Sequence, residues 1–522
     1  MQLREYNVII KNPRMVDVRV ASCYPGPYRT AMSSLGYHII YHLINSRDDA
    51  WCERVIHPYK RSLESGSPLR DFDVISFTVH YEEDYFRILQ MLRDGSISPR
   101  RDERDGPLVI AGGPCITSNP LPLSDFIDLF IIGEAEPVLN RLMDRYLELD
   151  DPRREIDEFM DIKGVYIPDN PAERVIVEDM DRACHPVRQI VPVTEDKRMV
   201  PSLGRSFLLG VSRGCSRGCR FCMSGYLYRP KRETSLPRLL DVAERGRHAT
   251  GYSKVSLIGA AASDYSRIDE LSSRLVDMDF MVSMPSLRIE SLSAHLMDTL
   301  LEGGLKTVTV APESTLKLRR KLNKPISDSM VFKKTEEAIK KGFRVKMYFL
   351  TGVPGESEED LKDLTRLIRG LHEIRRGMVT FSINPLIPKP HTPLQWMEYD
   401  MRRMKRKIKL LRKLTGGVPV KFGSPLSGLI QYVLSTGGPE TGKLIERASF
   451  SKVPLREWEL HCSRRNPGDV LPWDNINLGL RKDFLMKEYI RMEEEKVTPW
   501  CEESGCHGCM DHCSWQEEGR LR

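Results

Sequence analysis

Two stretches of the chain alternate short apolar runs with amphipathic segments, and the alternation predicts two successive α/β units. In the first, Val16, Val18 and Val20 alternate with Asp17 and Arg19 as in a strand. Ala31 to Ile44 has helical periodicity, Val74 to Thr78, Leu108 to Ala111 and Leu129 to Ile132 read as strands, and Tyr85 to Leu92 as a helix. Glycine turns close the later strands at Gly112-Gly113-Pro114 and Gly133-Glu134. Strand, helix and glycine turn at this spacing predict a Rossmann-like parallel sheet with helices on both faces, whose ligands bind at the carboxyl ends of the strands.

The second series predicts strands at Leu208 to Val211, Val255 to Ile258, Met281 to Met284, Thr307 to Val310, Val345 to Leu350 and Val379 to Asn384, with helical segments between most of them. Six such units suit a partial (βα)6 barrel. The division is therefore an α/β unit over 1–150, a proline-rich charged connector over 151–203, a barrel over 204–396, and a small Cys-rich region over 397–522 that opens with a basic helix. That helix has 8 basic residues in the 12 from Arg402 to Lys413, with Met401, Met404, Ile408 and Leu411 on one face. Such a charged face is either solvated or docks an acidic macromolecule such as tRNA.

Bulk composition is ordinary: 40% hydrophobic, 29% charged, 36 glycines and 34 prolines exclude collagen-like and wholly disordered classes. A net charge of +6 is too small to demand a polyanionic partner. The N-terminal MQLREYNVII lacks an apolar signal core, and no apolar run approaches the roughly 20 residues that span a bilayer. A cytoplasmic protein with no membrane contact is expected. In that reducing compartment, clustered thiols read as metal ligands rather than disulfides. Seven of the twelve cysteines are clustered: Cys215, Cys219 and Cys222 in one group, Cys501, Cys506, Cys509 and Cys513 in another.

The first group is a C-x3-C-x2-C loop that follows a predicted strand and is bracketed by Gly214, Gly218 and Gly225. Soft thiolates select zinc or iron–sulfur clusters, and three ligands for four irons leave one iron open to a substrate or cofactor. A zinc site would need a fourth ligand, and the nearest histidines, His185 and His248, are about 30 residues away. The loop, with Phe221 before its third cysteine, resembles the signature of the radical S-adenosylmethionine (SAM) superfamily. The resemblance implies a 4Fe-4S cluster on Cys215, Cys219 and Cys222 whose open iron chelates SAM, with Phe221 near the adenine. It also implies SAM contacts at later strand ends: Gly259 and Ala260 after the second, Ser286 and Arg288 after the third, and Glu313 and Ser314 after the fourth. Arg319 or Arg320 would reach the SAM carboxylate, and Gly352 and Pro354 follow the fifth strand. Reductive cleavage of SAM would yield methionine and a 5′-deoxyadenosyl radical.

The N-terminal unit resembles the cobalamin-binding domain fused to many radical SAM enzymes. That likeness implies corrinoid contacts at Ser34, Gly36, Ser76, Thr78, Gly112, Gly113, Gly133 and Glu134, where small residues let a flat ring approach backbone. No Asp-x-His-x-x-Gly occurs, so a mutase-type histidine ligand to cobalt is not expected; His80, just past a strand end, reads as an interior or supporting histidine, with a cobalt ligand the alternative. Methylthiotransferases also place an α/β unit ahead of the barrel, with three cysteines for a second cluster. Here Cys23, Cys52 and Cys115 would have to serve, at spacings that fit poorly.

The second group, Cys501, Cys506, Cys509 and Cys513, suits either a closed zinc site or a second 4Fe-4S cluster. With Leu471-Pro-Trp473, this tail resembles an uncharacterised group of cobalamin-type radical SAM proteins. Together the likenesses imply a cobalamin-dependent methyltransferase that carries a methyl group from SAM to an unactivated carbon of a macromolecule. The substrate would be a protein side chain, such as those of methyl-coenzyme M reductase, or tRNA, and a ferredoxin or flavodoxin would donate electrons. A tRNA methylthiotransferase and a non-catalytic iron–sulfur protein are the alternatives. Nothing in the sequence fixes the oligomeric state.

Overall fold

The computed structural model describes residues 4–285, 287–462 and 465–513. Its first sheet contains β1 (Val18–Tyr24), β2 (Ala50–Ile56), β3 (Val74–Thr78), β4 (Leu108–Gly112), β5 (Leu129–Ile131) and β6 (Val165–Tyr166), in spatial order β2-β1-β3-β4-β5-β6. The first five are mutually parallel and β6 is antiparallel. Strand order reverses direction at β1 and β3, which opens a crevice at their carboxyl ends. Helices α1 (Leu35–Asn45) and α3 (Leu139–Glu148) cover one face, with Tyr37, Tyr41, Ile44 and Leu142 in its core, and α2 (Tyr85–Asp94) covers the other.

The strand β2 was not anticipated. Cys52 therefore lies inside a fully buried strand. Helix α1 also begins later than expected, because the Ser34 hydroxyl accepts the Tyr37 N–H at 3.3 Å and so fixes the helix start.

The second unit contains β7 (Phe207–Gly210), β8 (Lys254–Ile258), β9 (Met281–Ser283), β10 (Thr307–Glu313), β11 (Arg344–Thr351), β12 (Val379–Pro385) and β13 (Val420–Phe422). The strands are parallel, but their hydrogen-bonded ladder divides into β7-β8-β9 and β10-β11-β12-β13. One apolar core running from Phe207 to Leu411 joins the two arcs. Its helices include α4 (Leu236–Thr250), α5 (Ile268–Asp277), α6 (Ala294–Glu302), α7 (Leu316–Lys321), α8 (Asp328–Lys340) and α9 (Glu358–Ile374). Helix α9 starts at a capping box in which Ser357 and Asp360 satisfy each other's backbone N–H groups, and it buries Leu361, Leu364, Ile368 and Leu371.

The barrel does not stop at residue 396. The basic segment forms α10 (Met401–Leu414), the crossover that leads to β13, and Met401, Met404, Ile408 and Leu411 are its buried stripe. Nor is the remainder merely a cysteine tail. Helices α11 (Pro425–Thr436) and α12 (Thr441–Phe450) join α2 in one core, and α13 (Lys482–Glu493) and α14 (Cys501–Ser504) follow. The connector is tied down as well, since Ala172–Glu173 pairs in parallel with Ile476–Asn477.

Candidate functional site

A cavity of about 360 Å³, partly open to solvent, lies between the carboxyl edge of the first sheet and the first strands of the barrel. From the first unit Gly36, Ser76, Thr78, Gly112, Gly113, Gly133 and Glu134 reach it, and from the barrel Gly259 and Ala260. Seven of the eight residues expected at the corrinoid thus share one space. Ser34 is the exception, because its hydroxyl caps α1.

The glycines act in different ways. A Cβ on Gly113 would lie 2.5 Å from the Val79 carbonyl oxygen and one on Gly133 would strike Val175; both have φ near +110°. These two are glycine because the backbone packs there, not to admit a ligand. Gly36 differs, since a Cβ there meets nothing within 4 Å. The buried Thr78 Oγ1 has no hydrogen-bond partner. An open cradle at Gly36 and an unsatisfied hydroxyl at Thr78 fit a ligand with hydrogen-bonding edges.

Glu134 faces the cavity, yet its carboxylate is fully engaged by the barrel. Arg232 lies 2.8 Å away, Arg213 2.9 Å, and the Val177 N–H donates to it at 2.7 Å. Burial would raise its pKa, but the Arg232 hydrogen bond and the charges of Arg213 and Arg232 hold it below the usual carboxylate value. Glu134 therefore clamps the two units together, with its carboxylate already paired. Connector residues not anticipated by the sequence reading also enter the cavity. His185 accepts the Gly210 N–H through Nε2 at 3.0 Å, and Cys184 stands beside it. His80 lines the cavity, within 3.2 Å of the Tyr24 hydroxyl, and burial lowers its pKa to about 4. It is a neutral interior histidine.

The Cys215–Cys222 loop follows β7. Burial raises the Cys222 thiol to about 12, and the neighbouring Cys219 and Cys215 add to the shift. Burial and Cys219 also raise Cys215. The three thiols are therefore close neighbours on one loop. Arg288 Nη1 lies 3.9 Å from Cys219 Sγ, and Arg288 is held by Glu290 at 2.7 Å and Asp264 at 3.6 Å. Asp264 also binds Arg217 at 2.8 Å, so it orients two cations at the loop without having shown any sequence signal of its own. Lys324 pairs with Glu313 at 2.9 Å. Glu313 has φ +69°, where the ladder between β10 and β11 shifts register, a strained backbone of the kind that gathers at functional sites. Ser314 Oγ and Glu290 Oε2 are buried without partners.

Other expected SAM contacts lie elsewhere. Arg319 is fully buried, donating from Nε to the Ser314 carbonyl at 2.6 Å and pairing with Asp328 at 2.5 Å and with the Ile326 carbonyl. It braces the loop after β10 and is not available to a carboxylate. Gly352 and Pro354 border a separate cavity beside α10, where a Cβ on Gly352 would collide with Met404. Phe221 packs with Leu318, Val353 and Leu386. Ser286 lies outside the described residues.

Among the described residues no three His, Cys, Asp or Glu side chains converge on a single metal-ion position. No helix in the described residues is long and apolar enough to cross a membrane.

Comparisons with known proteins agree with this architecture. Residues 36–168 match the family "Radical SAM proteins, N-terminal" and residues 209–368 the "Radical SAM superfamily". An uncharacterized protein of Methanocaldococcus jannaschii is 31% identical over 488 residues, covering 91% of this chain and 97% of that one. The ribosomal protein uS12 methylthiotransferase RimO of Desulfotalea psychrophila is 24% identical over 332 residues, 59% of this chain and 72% of its own. Among solved structures, the radical SAM methyltransferase TsrM from Kitasatospora setae, with cobalamin and a [4Fe-4S] cluster bound, has a TM-score of 0.52 at 14% identity, covering 73% of this chain and 74% of that one. The cobalamin-dependent SAM radical enzyme OxsB has a TM-score of 0.51 at 14% identity, covering 79% and 60%. The chain belongs to the radical SAM superfamily and has the two-unit architecture of its cobalamin-type members.

Proposed function

We propose that this radical SAM enzyme is a cobalamin-dependent methyltransferase that moves a methyl group from SAM to an unactivated carbon of a protein side chain or tRNA. The observation that carries the reading is the single cavity shared by the carboxyl edge of the first sheet and the barrel strand end at Gly259 and Ala260. When bound, the cluster and SAM supply one-electron cleavage to a carbon radical, and cobalamin supplies the methyl carrier.

The chain's own residues bind, orient and enclose. Cys215, Cys219 and Cys222 would hold the cluster, and Arg288, beside Cys219, places positive charge against it. Arg288 is also the candidate to meet the SAM carboxylate, with Ser314 available for a polar edge. Gly36 and Thr78 would cradle the corrinoid. Glu134, Arg213 and Arg232 hold the cavity walls together.

The methylthiotransferase reading needs a three-cysteine cluster in the first unit. Cys23 and Cys115 belong to the core under α2, whereas Cys52 belongs to the core under α1, on the opposite face of the sheet. All three are buried, so they cannot share one cluster without unfolding the sheet.

The test is anaerobic reconstitution with iron, sulfide and cobalamin, followed by incubation of the protein, reduced by flavodoxin or dithionite, with SAM carrying a labelled methyl group and extracts of a strain lacking the gene. Label in a protein or tRNA with the mass of one methyl group supports the reading. A mass shift of one methylthio group replaces it with the alternative, and no transfer to either fraction overturns it.

A further inference from the structure

We infer that Cys501, Cys506, Cys509 and Cys513 hold a second iron–sulfur cluster, and that it passes electrons to the Cys215–Cys222 loop. This rests on reading that loop as an iron–sulfur site. All four C-terminal cysteines line one small pocket, and Ser216, Arg217 and Gly218 of the first loop form its other wall. The two cysteine groups, nearly 300 residues apart in sequence, are neighbours in space.

Four thiols around one pocket can each bind a different iron of a four-iron cluster, and a cluster beside the first loop can exchange electrons with it, which redox-inert zinc cannot do. The Gly508 N–H donates to Cys506 Sγ at 3.3 Å, a bond of the kind that tunes cluster potential.

The tail is fastened to the first loop residue by residue. Ser216 donates to Glu502 at 2.6 Å, and the Arg217 guanidinium stacks on Trp500 at 3.1 Å. Asn323 bridges the Gly218 carbonyl at 3.1 Å to the Thr498 N–H at 2.9 Å, and Arg220 pairs with Glu488 at 2.9 Å. Buried Arg229 donates to the Gly225 carbonyl at 2.8 Å, and a Cβ on Gly218 would lie 3.3 Å from its Nη2. Its charge faces Cys501 and Cys509. A purely structural metal needs no such attachment to a catalytic loop. At the other edge Cys506 is exposed, so the site has one side toward solvent and one toward the first loop. That is the geometry of a relay.

The step balances simply. A low-potential one-electron donor protein is oxidised by one electron, the second cluster is reduced by one and passes that electron to the first, and no bond or proton changes.

The experiment uses the full chain, purified anaerobically and reconstituted with iron and sulfide alone. Wild type should bind about eight irons and eight sulfides and no zinc, while Cys506→Ser/Cys509→Ser and Cys219→Ala should each keep about four. The dithionite-reduced wild type should show two interacting paramagnetic signals and each variant one. Reduction of the first cluster by reduced flavodoxin should slow at least tenfold in Cys506→Ser/Cys509→Ser, with reduction by dithionite unchanged. About four irons plus one zinc, with the zinc lost in the double variant, would overturn the inference. An unchanged flavodoxin rate would overturn the relay. Full iron retention in Cys219→Ala alone would instead contradict the reading of the first loop and leave the second cluster standing.

Discussion

At the scale of single residues, side-chain direction separates expectation from structure. The spacing of Cys215, Cys219 and Cys222 made their grouping legible, because three thiols on one tight loop have few places to go. The directions of Ser34, Arg319 and Glu134 were not legible, since each is decided by a partner distant in sequence or by a local backbone group. Glu134 gives a test of its clamp role. Glu134→Gln leaves Arg213 and Arg232 buried with a weakened partner, and it should cost about 3–5 kcal/mol in denaturant unfolding. The folded carboxyl titrates below its ordinary 4.5, so its contribution is fully present above that value and is lost as pH falls through the folded value. Wild type should therefore lose stability along that acid limb, and Glu134→Gln should show a shallower limb. Equal limbs would contradict the clamp.

At the scale of elements, hydrophobic pattern located the strands that are plain apolar runs and missed those that are not. The strand β2 contains Glu53 and Arg54, fully buried charges that break the apolar run. They are tolerated because Arg54 pairs with Glu5 at 2.7 Å and Glu64 at 2.6 Å, while Glu53 meets Arg19 at 2.6 Å. Those partners cannot be seen locally. The strand β13 has only three residues, too few to show a period. Two glycines give a matched test. Gly113→Ala should destabilise by at least about 1–3 kcal/mol, because φ is +112° and the Val79 carbonyl occupies the Cβ position. Gly36→Ala, in the first turn of α1 with open space around it, should leave stability unchanged or raise it by up to about 1 kcal/mol. Thermal melts of the two variants read both. On α10 the polar face is exposed and Lys407 pairs with Glu356 at 2.6 Å. Changing Arg402, Arg406 and Lys409 to Glu should alter stability by less than about 0.5 kcal/mol per site. A larger loss would show that the basic face packs rather than meets solvent.

At the scale of the molecule, the function belongs to the junction between units, and a junction is the least legible feature of a sequence. The carboxyl edges of both sheets were foreseeable from glycine turns after the strands. Their meeting in one cavity, the connector histidine His185 within it, and the tail cysteines against the first loop arise from long-range packing that leaves no local pattern. The α11 and α12 layer over α2 explains why the C-terminal region cannot be a detachable appendage. Removal of residues 397–522 should expose that core and the edge of β12, and should give insoluble protein rather than an active barrel. The most direct test of the central claim is corrinoid retention. After reconstitution with hydroxocobalamin and desalting, wild type should retain about one corrinoid per chain by absorbance. Gly36→Phe, which fills the open cradle, should retain at least tenfold less with its iron content unchanged. No retained corrinoid in wild type, or equal retention in both proteins, would contradict the account.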